Sequence, residues 1–305
     1  MLRFRPQTTA YAMLVIVMLL WAGNTIVARA VRADIPPLTL ALLRWTGALL
    51  IVSPFALRHV VAERLAIARG WPRILLLGLL GVAAFNAFLY SGLRYTTASN
   101  GMLLQAAIPA LVLTVDLALF RIRPAPASVA GVTLSTLGVL VIVFRGDASA
   151  LARVAFNRGD ALILCGVLSW SFYTALLKLR PQLHPLSFLW VTFAIGALSM
   201  LPLAATEWRE IVAIRWRPET VAAVAYVAVF PSVIAYALFN AAVASVGAAK
   251  SGQAITLMPL FGGFLAAATL GEPLHGYHLA GMALILSGIA TSLIIGARKE
   301  RTPTQ

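Results

Sequence analysis

Residues 98–111 read ASNGMLLQAAIPAL, and residues 248–261 read AAKSGQAITLMPLF. Each is an apolar run with a proline inside it, Pro109 in the first and Pro259 in the second. A proline within a helix removes one backbone N–H, and its ring clashes with the carbonyl four residues back. A chain of 305 residues that repeats so costly a placement 150 positions apart has duplicated a whole unit. The copy extends outward from both prolines. At an offset of 149, Trp21-Ala-Gly-Asn-Thr25 aligns with Trp170-Ser-Phe-Tyr-Thr174, Arg29 with Lys178, Pro36 with Pro185, and Gly47-Ala48 with Gly196-Ala197. At 150, Ala98 meets Ala248, Ala130-Gly131 meets Ala280-Gly281, and Gly138 meets Gly288.

The solvent of this repeat follows from composition. Hydrophobic residues make up 61% of the chain, charged residues 11%, and the mean hydropathy is +0.90. Soluble domains are about half apolar and about a quarter charged, so the bilayer is the solvent that fits. The net charge of +14 raises nucleic acid as a partner, but the basic residues lie scattered in short loops between apolar segments. That distribution belongs to membrane topology, and a nucleic-acid partner is excluded. Cys165 is the one cysteine, so the chain forms no internal disulfide; its place in an apolar run predicts a packing residue. Arg3 and Arg5 precede the first apolar stretch and Ala28-Arg29-Ala30 resembles a cleavage site. The run is long enough to span, however, and the first helix is expected to be retained.

A span needs about 20 mostly apolar residues. Helices are expected near 10–31, 37–57, 72–92, 97–120, 126–144, 159–179, 185–205, 219–242, 247–270 and 276–296. Fourteen Lys and Arg then fall at the termini and even-numbered loops and nine in the odd-numbered loops, which places both termini in the cytoplasm of an inner-membrane protein. Five helices per half is an odd number, so the second copy enters the membrane from the opposite face. The expected fold is therefore an all-α integral membrane protein of ten transmembrane helices. Two inverted five-helix repeats, 1–148 and 149–305, surround a central cavity. Transporters of this architecture hold substrate near the midplane between repeats and work by alternating access.

The cavity residues are sought among polar and aromatic groups that share helix faces. They are Trp21 and Asn24 with their counterparts Trp170 and Tyr173, Asn86 and Tyr90 with Tyr236 and Asn240, and Gln105 and Gln253 just before the prolines. The bland alternatives stand beside this reading. Trp and Tyr anchor helices at interfaces, which suits Tyr11 and Trp45, and buried amides join helices as hydrogen-bonding glue. Pro109 and Pro259 are either packing kinks or hinges. Arg44, Asp116 and Lys250 are the intramembrane charges; Arg44 either snorkels or caps carbonyls, and Asp116 and Lys250 suit solvated ends or an ion pair, with Lys250 also placed to steer a carboxylate. Glu272 reads as structural.

No carboxylate lies near the centre of the first helix, where a pump for lipophilic cations needs a countercharge. Aromatics and amides suit a neutral or zwitterionic solute with an apolar side chain, such as tryptophan or phenylalanine. An enzyme is disfavoured because His59, His184, His275 and His278 all lie in loops or at helix ends, without a nucleophile or a metal cluster. A channel filter or charge ring is likewise absent from the sequence. No cofactor or metal is expected. The partners are a small-molecule substrate and the lipid bilayer, with monomer and homodimer both open.

LLWAGNTIVARAV, LLRWTGALL and ASNGMLLQAAIPALV in the first half, with SWSFYTALLKL, AAKSGQAITLMPLFGGFLAAATLGEPL and GMALILSGI in the second, together resemble the drug/metabolite transporter superfamily, in its EamA-type branch. Within that branch the chain is similar to bacterial aromatic amino acid exporters of the YddG type. The resemblance implies ten helices and export of small metabolites. The chain departs from the family where a glutamate often closes the fourth helix: Ile122 stands there, opposite Glu272.

Overall fold

The computed structural model describes residues 6–31, 33–96, 101, 104–147, 149, 157–270 and 275–299. Gly271 and Glu272 lie outside them, as do residues 98–100 and 102–103 of the quoted first stretch. The regular elements among the described residues are all helices. We number α1 (Pro6–Ala30), α2 (Pro37–Ala62), α3 (Arg64–Gly92), α4 (Ile108–Phe120), α5 (Pro126–Val143), α6 (Arg158–Leu179), α7 (Pro185–Ala205) and α8 (Pro218–Val246). After these come α9 (Ala248–Ala254, a 3-10 turn Ile255–Leu257, then Met258–Leu270) and α10 (Gly276–Lys299). Among the described residues, seven helices, α1 to α3 and α5 to α8, are long and apolar enough to cross a membrane; α4 is apolar but shorter. The chain is a multi-pass membrane protein.

Local chemistry sets where these helices begin. α2, α5, α7 and α8 each start with a proline in the first turn, where its missing N–H has no helical partner to lose. Gly247, at φ 86°, turns the chain sharply between α8 and α9. Two expected boundaries were too short: α2 continues to Ala62 rather than 57, and α3 begins at Arg64 rather than 72, because arginine-bearing turns carry each helix past its apolar window.

The prolines of the opening stretches each sit in the first turn of a helical segment. Pro109 occupies the first turn of α4, after a turn at residues 106–107. Pro259 occupies the first turn of Met258–Leu270, after the 3-10 turn. The helix is broken before each proline, which removes the clash with the preceding turn. The two breaks fall 150 residues apart.

A second duplicated irregularity has no sequence forecast. α3 contains a π-turn at Leu79–Ala84 and α8 contains one at Val229–Ile234, again offset by 150. π-turns widen the helix and redirect backbone carbonyls, often at functional sites.

Packing pairs helices across the sequence halves. α5 packs on α10, α2 on α7, α3 on α6, and α1 on α8; α4 also meets α6, and α9 meets α1. The α5–α10 crossing is the closest. A Cβ on Gly131 would lie 2.5 Å from the Gly288 carbonyl oxygen, and one on Gly138 would lie 2.6 Å from that of Gly281. This register makes the pair antiparallel, and small residues let the backbones approach. Ser135 Oγ donates to the Ile285 carbonyl at 3.3 Å between the two glycine contacts.

α2 and α7 are joined at both ends by carboxylates in reciprocal roles. Glu207, just beyond α7, is buried and accepts from the backbone N–H groups of Leu38 and Thr39 at 3.3 and 2.8 Å in the first turn of α2. It also pairs with Arg94 at the end of α3. Glu63, just beyond α2, accepts from the backbone N–H of His184 at 2.9 Å, where α7 begins. Each carboxylate satisfies helix N–H groups that have no intrahelical partner.

The outer surface is apolar. Leu50, Phe55, Leu198, Leu201 and Leu286 are exposed, as a lipid-facing surface requires. Cys165 is exposed on α6 as well, contrary to the expectation of a packing residue: it shares the outer side of the helix with Leu168, whereas Ile163 and Val167 turn to the core.

Candidate functional site

At the centre of the molecule, side chains from both sequence halves form one aromatic cluster. Trp21 of α1 and Trp170 of α6, equivalent at an offset of 149, meet edge to face with centroids 5.1 Å apart. Around Trp170 stand Phe85 at 5.0 Å, Tyr173 at 5.1 Å, Phe239 at 5.4 Å and Tyr236 at 5.7 Å. Trp45 packs on Tyr236 at 5.3 Å and on Phe193 at 5.4 Å. The spacings and edge-to-face angles are those favoured by aromatic quadrupoles. The rings touch one another, so in this closed arrangement they fill the centre themselves. Trp45 is fully buried, which corrects its reading as an interfacial anchor.

The π-turns face this cluster and supply acceptors. Trp21 Nε1 donates to the Pro231 carbonyl at 3.0 Å. Tyr236 Oη donates to the Gly81 carbonyl at 2.7 Å. Gly81 and Pro231 are equivalent positions, so each π-turn binds a ring from the other sequence half. Gly81 is also a steric necessity, because a Cβ there would lie 2.4 Å from the Tyr173 ring.

The polar partners are unequal on the two sides. Tyr173 Oη donates to Asn240 Oδ1 at 2.8 Å. Asn240 Nδ2, Trp170 Nε1, Trp45 Nε1 and Asn24 Oδ1 are buried polar atoms without a hydrogen-bond partner. On the other side, Arg44 of α2 is 4% exposed and its guanidinium lies 4.6 Å over the Trp45 ring. Arg44 Nε donates to Ser232 Oγ at 2.6 Å, and Nη2 donates to the Pro231 carbonyl at 3.1 Å. Its Nη1 reaches Asn86 Oδ1 and Tyr90 Oη only at 3.5 Å. Arg44 therefore caps a π-turn carbonyl and does not snorkel. Asn86 is further fixed by donating Nδ2 to the Val82 carbonyl at 2.8 Å.

Of the residues singled out from sequence, Trp21, Trp170, Tyr173 and Tyr236 fall within the ring cluster. Asn86 and Tyr90 gather at Arg44, and Asn240 at Tyr173. The glutamines go elsewhere. Gln253 Nε2 donates to the Gly288 carbonyl at 3.1 Å and to Ser135 Oγ at 3.4 Å, joining α9 to the α5–α10 crossing. Gln105 Nε2 donates to the Gly101 carbonyl, one turn back. Asp116 is ion-paired with Lys178 between α4 and α6, and Lys178 Nζ lies 3.9 Å over the Phe120 ring. Lys250 is half-buried on α9. Trp45, Phe193, Phe239 and Ser232 were missed. Phe193 is the repeat equivalent of Arg44 and Ser232 that of Val82, so neither shows as a matched pair. The available signal for Ser232 was its neighbour Pro231, a proline inside an apolar span.

Comparison with known proteins places this geometry. The model of the EamA-like transporter family matches residues 8–144 and again residues 157–294. An uncharacterized transporter of Archaeoglobus fulgidus is 28% identical over 287 residues, 93% of this chain and 96% of its own. A probable amino-acid metabolite efflux pump of Salmonella typhimurium is 26% identical over 298 residues, covering 94% and 95% of the two chains. A solved crystal structure aligns over 97% of this chain and 99% of its own, with a TM-score of 0.78 at 20% identity, a likeness of fold alone.

Proposed function

We propose a specific substrate class and mechanism for this chain, which belongs to the EamA-like transporter family. It exports amino acids or related small metabolites across the inner membrane, with aromatic or neutral amino acids as the best fit. Residues 1–148 and 149–305 act as two inverted five-helix repeats that exchange conformations in alternating access. The double family match and the antiparallel pairing of α5 with α10 and of α2 with α7 support that division. The breaks before Pro109 and Pro259 serve as hinges, since backbone there is already outside regular helix.

The observation that carries the substrate class is the cluster of Trp21, Trp170, Tyr173, Tyr236 and Phe239, contributed by both halves and bordered by unpartnered buried polar atoms. Such a box offers ring faces to an aromatic side chain and hydrogen-bonding groups to a polar head. The Salmonella relative described as an amino-acid metabolite efflux pump points the same way. Proteoliposomes preloaded with unlabelled phenylalanine or tryptophan, then given labelled substrate with and without a proton gradient, test the reading. Saturable exchange that Trp170→Ala abolishes is expected. Flux no higher than in protein-free vesicles, from a folded sample, sinks it and directs the search to another class of small solute.

A further inference from the structure

We infer that Arg44 holds the carboxylate of the transported solute, making the site a polar pole and an aromatic pole of fixed order. The inference rests on the amino acid reading above and assigns the orientation of the substrate within it.

Arg44 is a permanent charge, since guanidinium keeps its proton in proteins. It sits 4% exposed among Trp45, Asn86, Tyr90, Ser232 and the Pro231 carbonyl, and none of its hydrogen-bond partners among the described residues carries a negative charge. A buried charge without a counter-ion is costly, and in a membrane span it marks a functional group by default. The donors of Arg44 are also unevenly used. Nε and Nη2 are held at 2.6 and 3.1 Å by the π-turn of α8, whereas Nη1 meets Asn86 and Tyr90 at 3.5 Å, the outer limit of a hydrogen bond. The well-held side fixes the guanidinium plane. The loosely held side is left for a stronger, charged acceptor, which carboxylate geometry supplies. The Trp45 ring under the guanidinium also carries Nε1, a buried donor with no partner.

The repeat breaks its symmetry at this point. The position equivalent to Arg44 is Phe193, which packs on Trp45 and Tyr236. One half therefore brings a cation and the other a ring. A solute with a carboxylate at one end and an apolar side chain at the other has one favourable orientation: carboxylate toward Arg44, Asn86 and Tyr90, side chain toward Trp170, Tyr173 and Phe239.

The test is competition in proteoliposomes. Labelled phenylalanine exchange is challenged with phenylalanine, with phenylalaninamide and with phenethylamine. Wild type is expected to prefer phenylalanine over the two carboxylate-free analogues by at least about tenfold, one charge-assisted contact in size. Arg44→Gln is expected to shrink that ratio toward one, and Arg44→Lys to restore part of it. A merely structural arginine would lower exchange of all three solutes alike and leave the ratio in place, which overturns the inference. Should Arg44→Gln fail to fold, the wild-type ratio still decides: equal competition by phenylalaninamide overturns the carboxylate site while leaving an aromatic-solute carrier standing. No exchange of any of the three removes the amino acid reading and this site with it.

Discussion

Trp170 illustrates how much a single side chain carries here. It touches five rings from both halves and is almost fully buried. Trp170→Ala, predicted to abolish exchange, is also expected to lower stability by about 3–5 kcal/mol, the usual cost of emptying a buried aromatic site. A thermal melt in detergent beside the flux assay separates loss of site from loss of fold. Gly81 presents the opposite constraint. Tyr173 occupies the space a Cβ needs, so Gly81→Ala is expected to cost about 1–3 kcal/mol by overpacking. Tyr173→Leu in the same chain should recover part of that loss; a Gly81→Ala protein that melts like wild type would contradict the close packing. Trp21 and Trp170 were legible because a tryptophan repeats at the offset of 149, and Tyr236 because a Tyr–Asn pair four residues apart recurs in the other half with its order reversed, as Asn86 and Tyr90. The fate of Gln253 was not, because an amide next to a proline reads the same whether it faces a cavity or ties helices together.

At the scale of elements, the α5–α10 crossing depends on two glycine contacts with no room for a side chain. Gly138→Leu is expected to drive the helices apart and yield aggregated or weakly folded protein, whereas Leu137→Ala on the exposed face should leave the melt nearly unchanged. Size-exclusion profiles of the two variants distinguish these outcomes. The reciprocal caps on α2 and α7 add a pH dependence. Burial pushes the Glu63 carboxyl up, but the Ser187 hydroxyl, the His184 N–H donor and the neighbouring His184 and His59 rings together outweigh it and hold it below its ordinary value of 4.5. A depressed carboxylate contributes stability that is present above its unfolded value and lost as pH falls through the folded one. Wild type and Glu63→Gln should thus differ in melting temperature near neutral pH and converge as the pH falls below the ordinary carboxylate value. A constant gap across that range would remove the charge from the explanation. The opening prolines were legible as a duplicated irregularity, but the broken form of their helices was not. A proline forbids one hydrogen bond, and whether the helix bends or restarts depends on what its neighbours pack against.

For the whole molecule, contacts across the halves join loops and helix ends of like parity in the expected order of spans. Arg94 meets Glu207, Asp116 meets Lys178, and Glu63 meets His184, each pair on loops or helix ends assigned to one face. The proposed inverted topology predicts matched accessibility in each half. In a Cys165→Ala background, Arg123→Cys and Arg180→Cys should react with an impermeant maleimide only from the cytoplasm. Arg145→Cys and Arg217→Cys should react only from outside. Labelling of Arg123→Cys and Arg180→Cys from opposite sides would rule out the inversion.

The sequence alone determined that the chain lives in a bilayer, that its half is duplicated, and that a tryptophan pair and a Tyr–Asn pairing recur in both halves, because composition, period and offset are properties of the linear string. Tertiary structure alone decided that two π-turns each bind a ring of the other half, that Trp45 and Phe193 join the central rings, and that Arg44 turns inward with no acid among its hydrogen-bond partners in the described residues. Those facts depend on which faces of different helices come together. Pro231 and Gly81 share no side-chain chemistry, yet each carbonyl binds a ring from the other half, since a backbone acceptor is placed by packing and leaves no mark in the residue that bears it.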